Sequence, residues 1–235
     1  MSDLINNRAT APGSADSADS ADSAQQLVWH VVIPVKGGPF AKTRLHPPEG
    51  VDHPALAMAI ALDSVDAAIA AVGPAHVLVV TSDQAVAEAV FALGAAVQAD
   101  PGDGLNGAVR AGLAALSHRR ASTEPLAVAV LLGDVPALRP EELRRALRVA
   151  GEFDSAFLPD AEGTGTVLVT WRRSSGEEVS RFGGASAQAH SGVGYARLAL
   201  DLPGLRRDVD DIDSLRTALG IGVGHHTADL LAHLI

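Results

Sequence analysis

LVWHVVIPVKGGPFAKTRL, residues 27–45, decides the fold. Its first nine residues are apolar and rich in β-branched side chains, as a strand buried on both faces requires, and Gly-Gly-Pro follows them as a loop. Lys36, Lys42 and Arg44 then place three cations within nine residues of an otherwise acidic chain. Open α/β sheets bind ligands at the carboxyl ends of their strands, so these cations are candidates for nucleotide phosphates. A solvated basic loop is the plainer alternative. The stretch is not a Walker A loop, which needs glycine where Lys36 and Ala41 stand.

Outward from that strand, helical and strand-like periods alternate. Residues 55–72 carry apolar side chains at helical spacing and close at Gly73-Pro74, and residues 76–81 read as a second buried strand. A short helix over 84–93, a short strand over 95–98, a helix over 105–118, a buried strand over 126–132 and a Pro-started helix over 140–150 follow. The second half is less regular, with strands over 155–158 and 166–171 and helices over 186–200 and 211–219. Alternation of this kind predicts an α/β fold in three layers around a mostly parallel sheet. Residues 27–235 then form a single domain, with a nucleotide-binding front half and an acceptor- and metal-binding back half. Residues 1–26, with three Ser-Ala-Asp triplets from Ser14 to Asp22, hold too little apolar surface to offset ordering entropy and read as a disordered leader.

Composition narrows the function. A formal net charge of -10 disfavours non-specific contact with nucleic acid or anionic lipid, and 3% aromatic residues leave little for base stacking. The absence of cysteine rules out disulfides and thiolate metal sites. No uninterrupted apolar run reaches the roughly 18 residues of a membrane span, and no secretory signal is visible, so a cytoplasmic location is expected.

Four further motifs carry candidate chemistry. Gly102-Asp-Gly104-Leu105-Asn106-Gly107 matches G-x-G-x-x-G in form, but its strand is short and late, which makes it a false dinucleotide fingerprint. Glycines before a helix still let a ligand approach backbone N–H groups, and Asn106 offers a donor and an acceptor to a base or ribose. Asp134 stands at the end of a buried strand, where a carboxylate can hold a metal or serve a turn. In Asp208-Val-Asp210 an extended backbone puts both carboxylates on one side, which calls for a cation between them, while Asp211 and Asp213 suit the following helix start. GTGTVLVT and RFGGASAQAH supply backbone donors and hydroxyls without bulk, through Thr166, Gly183 and Ser186, with Ser186 opening a helix; two turns and a cap are the alternative. His190, His225 and His226 read as structural or exposed, and no Ser-His-Asp or G-x-S-x-G pattern stands out.

In this order, the motifs at residues 33–45, 102–109, 131–143, 163–169, 181–190 and 206–215 resemble the phosphoenolpyruvate/2-phospho-L-lactate guanylyltransferase family of deazaflavin coenzyme (factor-420) biosynthesis. The resemblance covers nearly everything after the leader. It implies a nucleotide-diphospho-sugar transferase-like nucleotidyltransferase fold and transfer of GMP from GTP to phosphoenolpyruvate or 2-phospho-L-lactate, with release of pyrophosphate. By the same resemblance Asp134, Asp208 and Asp210 would hold Mg²⁺, two ions in all. Thr166, Gly183 and Ser186 would bind the phosphorylated acid, and the basic loop with Gly104, Leu105 and Asn106 would bind GTP. Lys36 and Lys42 would act catalytically by neutralising charge, and a downstream transferase would accept the product. A phosphomonoester is largely dianionic at pH 7, so no general base is needed. The alternatives are a nucleotidyltransferase of the same fold acting on a sugar phosphate, a pterin or 3-phosphoglycerate, and, in another class, a non-catalytic nucleotide sensor.

Overall fold

The computed structural model describes residues 27–36, 45, 47–119, 126–176 and 178–232. The leader, and Lys42 and Arg44 of the basic loop, lie outside the described residues. The elements run β1 (Trp29–Pro34), α1 (His53–Val72), β2 (Val77–Thr81), α2 (Gln84–Ala92), β3 (Ala96–Ala99), α3 (Gly104–His118), β4 (Leu126–Leu131) and α4 (Pro140–Ala150). They continue with β5 (Ser155–Pro159), β6 (Thr166–Ser174), α5 (Ser186–Gly192), β7 (Ala196–Arg197), α6 (Ile212–Ile221) and α7 (His225–Leu231).

Seven strands form one sheet in the order β3-β2-β1-β4-β6-β5-β7. The pairs β1/β2, β2/β3, β1/β4 and β5/β7 are parallel, and β6 runs antiparallel to both β4 and β5. The chain winds outward from β1 through β2 to β3 and then returns to the other side of β1 as β4. That reversal opens a crevice between the carboxyl ends of β1 and β4, the switch point where open sheets bind ligands.

Each face of the sheet is covered. Val31, Ile33, Val79, Ala129 and Leu131 belong to one core cluster with α1 and α4, while Val32, Val80, Val128 and Val130 pack with α3. Helix α3 sits unusually close: a Cβ added to Gly112 would lie 2.4 Å from Val32 Cγ1. By length and composition α1 qualifies as a membrane span, although Asp63, Ser64 and Asp66 interrupt its apolar run. It is a core helix here: Leu56, Ile60 and Val65 are fully buried, and it packs against the strands, α4 and α7.

Two expectations need correction. The helix predicted over 186–200 ends at Gly192, because the chain turns through Gly194 at φ +86° and residues 196–197 join β5 as a short parallel strand. Helix α7 was not predicted; Asp63 of α1 starts it by accepting the His226 and Thr227 N–H groups at 2.9 and 3.0 Å. Asp211, in contrast, caps α6 as expected, in a reciprocal capping box with Ser214.

Candidate active site

A cleft of about 250 Å³ opens at the switch point. Pro34, Val35 and Lys36 from the end of β1 and Leu132, Gly133 and Asp134 from the end of β4 line it, with Leu105 of α3 and Asp210 on its rim. Gly133 keeps the two strand ends close, since a Cβ there would sit 2.9 Å from Val35 Cγ2. Gly104 turns at φ +74° immediately before Leu105, a conformation that favours glycine.

Asp134, Asp208 and Asp210 bring one carboxylate oxygen each to within 4.8 Å of one another. Local alternation accounts for part of this: Val209 is fully buried in the core formed with α1 and α6, so Asp208 and Asp210 turn away from that core. Three long-range ties complete it. The Val209 N–H donates to the Asp134 carbonyl at 2.9 Å. Glu142 accepts from the Gly204 and Leu205 N–H groups at 3.2 and 2.7 Å. The Arg206 guanidinium donates to the Pro159 and Asp160 carbonyls, at 2.7 Å in the shortest case.

The crowding shows in the chemistry of Asp208. Burial, and then the charges of Asp134, Asp210 and Asp160, push its carboxyl up to about 7. Carboxylates forced together in this way fit a hard divalent cation that takes oxygen ligands and repays the repulsion by binding. Asp160 and Glu162 form a second group with Asp208 within the same 4.8 Å limit. A third group, Asp63 with His225 and His226, is not among the residues lining the cleft, and Asp63 there serves α7.

The other candidates separate into two zones. Lys36 is exposed at the lip of the cleft, and Leu105 lines it. Asn106 instead faces the 180–182 segment: its Nδ2 donates to the Phe182 carbonyl at 2.8 Å, and its Oδ1 accepts from Ser180 Oγ and Phe182 N at 2.7 and 3.0 Å. Thr166 opens β6 and Ser186 opens α5, both buried, while Gly183 is exposed at φ +141° with open space beside it. The Ala187 N–H donates to the Thr164 carbonyl at 3.1 Å, which joins the two glycine-rich motifs. Asp160 connects this zone to the carboxylates, since it accepts from Thr164 N and Gly165 N at 3.0 and 2.7 Å.

Sequence reasoning missed Asp100, which lines the cleft and holds the Gly102 N–H at 2.9 Å, although an Asp-Pro at a strand end before a glycine loop was a usable signal. It also missed Glu142 and Arg206, whose partners lie 45–63 residues away and leave no mark in local spacing, and Asp160, whose carboxylate bonds Thr164 N and Gly165 N only a few residues on.

Comparison with known proteins agrees with this layout. The MobA-like NTP transferase domain family matches residues 60–197. A phosphoenolpyruvate guanylyltransferase of Geodermatophilus obscurus is 47% identical over 211 residues, covering 86% of this chain and 94% of that protein. One from Streptomyces coelicolor is 44% identical over 212 residues, covering 88% and 97%. Among solved structures, CMP:2-keto-3-deoxy-manno-octonic acid synthetase complexed with CTP superposes with a TM-score of 0.52 at 17% identity, covering 82% of this chain and 98% of that one. The last likeness is one of fold.

Proposed function

The chain belongs to the phosphoenolpyruvate guanylyltransferase family, and from that premise we propose that it transfers GMP from GTP to phosphoenolpyruvate and releases pyrophosphate. The observation that carries this reading is the convergence of Asp134, Asp208 and Asp210 beside the switch-point cleft.

In the proposed reaction a phosphate oxygen of the acid attacks the α-phosphorus of GTP. One P–O bond forms, the bond to the β-phosphate oxygen breaks, and pyrophosphate leaves with its electron pair. The attacking group carries no proton to remove, so positioning and charge neutralisation supply the rate. Asp134, Asp208 and Asp210 would hold Mg²⁺, two ions in the full site, which supply positive charge along the triphosphate and the attacking phosphate. Lys36, with Lys42 and Arg44, neutralises the triphosphate. Gly104 and Leu105 shape the nucleoside side of the cleft, and Asn106 contributes by holding the wall between nucleotide and acid. Thr166, Gly183 and Ser186 bind the acid.

The product is a mixed diphosphate that keeps the carboxylate. We place it in cytoplasmic deazaflavin coenzyme biosynthesis, where a second transferase consumes it.

Pyrophosphate release should be measured with GTP, Mg²⁺ and, in turn, phosphoenolpyruvate, 2-phospho-L-lactate and 3-phosphoglycerate. Release with phosphoenolpyruvate is expected. Release with another of the acids alone would reassign the acceptor, and silence with all three alongside tight GTP binding would refute a phosphorylated-acid acceptor in favour of a different acceptor or of a nucleotide sensor.

A further inference from the structure

His190 is fully buried at the C-terminal end of α5, and its ring bonds both Thr166 and the backbone at Arg181, two residues before Gly183. Nε2 accepts the Arg181 backbone N–H at 3.0 Å. That bond places the ring proton on Nδ1, which lies 3.1 Å from Thr166 Oγ1. The ring cannot turn freely. Phe157 and Phe182 lie 5.6 Å from it, and Tyr195 stacks at 5.7 Å. Tyr195 is fixed in turn, since its hydroxyl accepts from Trp171 Nε1 at 2.9 Å and donates to the Val179 carbonyl at 3.3 Å.

We propose that His190 is the positioning residue of the acid acceptor site. Its Nδ1–H occupies a lone pair of Thr166 Oγ1, so the threonine's own O–H is left as a donor for the incoming anion. Its Nε2 holds the backbone at Arg181, and Asn106 holds the next residue, Phe182, from the nucleotide side. The Gly183-Gly184 turn between these anchors and Ser186 therefore starts from a fixed point on each side. A neutral imidazole is required, because an imidazolium could not accept from Arg181; burial keeps the ring neutral by lowering its pKa to about 4.

This inference rests on the proposed assignment of Thr166, Gly183 and Ser186 to the acid. The test compares wild type with His190→Phe, His190→Gln and His190→Asn, each checked for fold by melting temperature, in pyrophosphate release at varied phosphoenolpyruvate and at varied GTP. His190→Phe keeps the shape and loses both hydrogen bonds, so the KM for phosphoenolpyruvate should rise about 30-fold or more with the KM for GTP changed less than about threefold. Gln or Asn, each of which retains a polar group toward one of the two partners, should recover part of that loss. Wild-type activity with an unchanged acid KM in His190→Phe, a parallel rise in both KM values, or amide variants no better than Phe would overturn the positioning role alone. Wild type silent with every acid would overturn the proposed function and this inference with it.

Discussion

Asp208→Asn should make the metal-free protein more stable while removing its activity. The wild-type carboxyl stands at about 7 instead of 3.8, first because it is buried and then because Asp134, Asp210 and Asp160 repel it. At 1.36 kcal/mol for each pH unit, that rise corresponds to about 4 kcal/mol spent on carrying the charge above pH 7. Asp208 is only partly buried, and solvent screening reduces the figure to about 2–3 kcal/mol. Asparagine keeps the shape without the charge, so the melting temperature at pH 8 in EDTA should rise by about 5–10 °C. The sign fixes the pH dependence. The folded carboxyl takes up a proton as pH falls below 7, so the variant's advantage narrows from there and closes near pH 4. Divalent metal reverses the order: Mg²⁺ or Mn²⁺ should raise the wild-type melting temperature by mass action and leave Asp208→Asn nearly unmoved. Thermal scans at pH 8 and pH 4, each with EDTA and with millimolar metal, cover all four conditions, and pyrophosphate release should fall by about 100-fold or more. No stabilisation at pH 8 without metal, or an equal gain at pH 4, would refute the electrostatic account; an unchanged metal response would refute the metal assignment.

Four other outcomes are expected. Glu142→Ala deprives the Gly204 and Leu205 N–H groups of a charged acceptor and should cost about 2–3 kcal/mol in urea unfolding, with a weaker metal response because the 208–210 segment loses an anchor. Gly112→Ala drives a methyl group to 2.4 Å from Val32 Cγ1, so overpacking should outweigh the gain in helix propensity and destabilise by about 1–2 kcal/mol. Gly220→Ala, in the open on α6, should instead stabilise by about 0.5–1 kcal/mol, both read from denaturant midpoints. His190 has a folded pKa of about 4 against an ordinary 6.5, so the unfolded chain binds the proton first and stability is lost as pH falls between those values, by about 3 kcal/mol in all. Subtracting the pH profile of His190→Phe from that of wild type should isolate this loss, and parallel profiles would contradict it.

The sequence by itself determined most of the elements and their order, though not α7 or β7, because hydrophobic period is a local consequence of backbone geometry. Strand β1, the helix that stops at Gly73, the Pro140 start of α4 and the alternation of Asp208 and Asp210 around Val209 all follow from neighbours a few residues apart. Where local rules compete, the reading broke down: residues 193–200 keep a helical apolar pattern, yet pairing with β5 captures two of them as a strand. Only the tertiary structure decided which groups meet. Asp134 joins Asp208 and Asp210 through the Val209 N–H and the anchors at Glu142 and Arg206. Asn106, legible as a reader of base or ribose, is turned to the Phe182 backbone across 76 residues of sequence. His190, set aside as structural, stands between Thr166 and Arg181 in a box of three aromatic rings. A hydrogen bond between distant segments depends on how helices and strands pack in three dimensions, and that packing leaves no period in the chain for spacing to reveal.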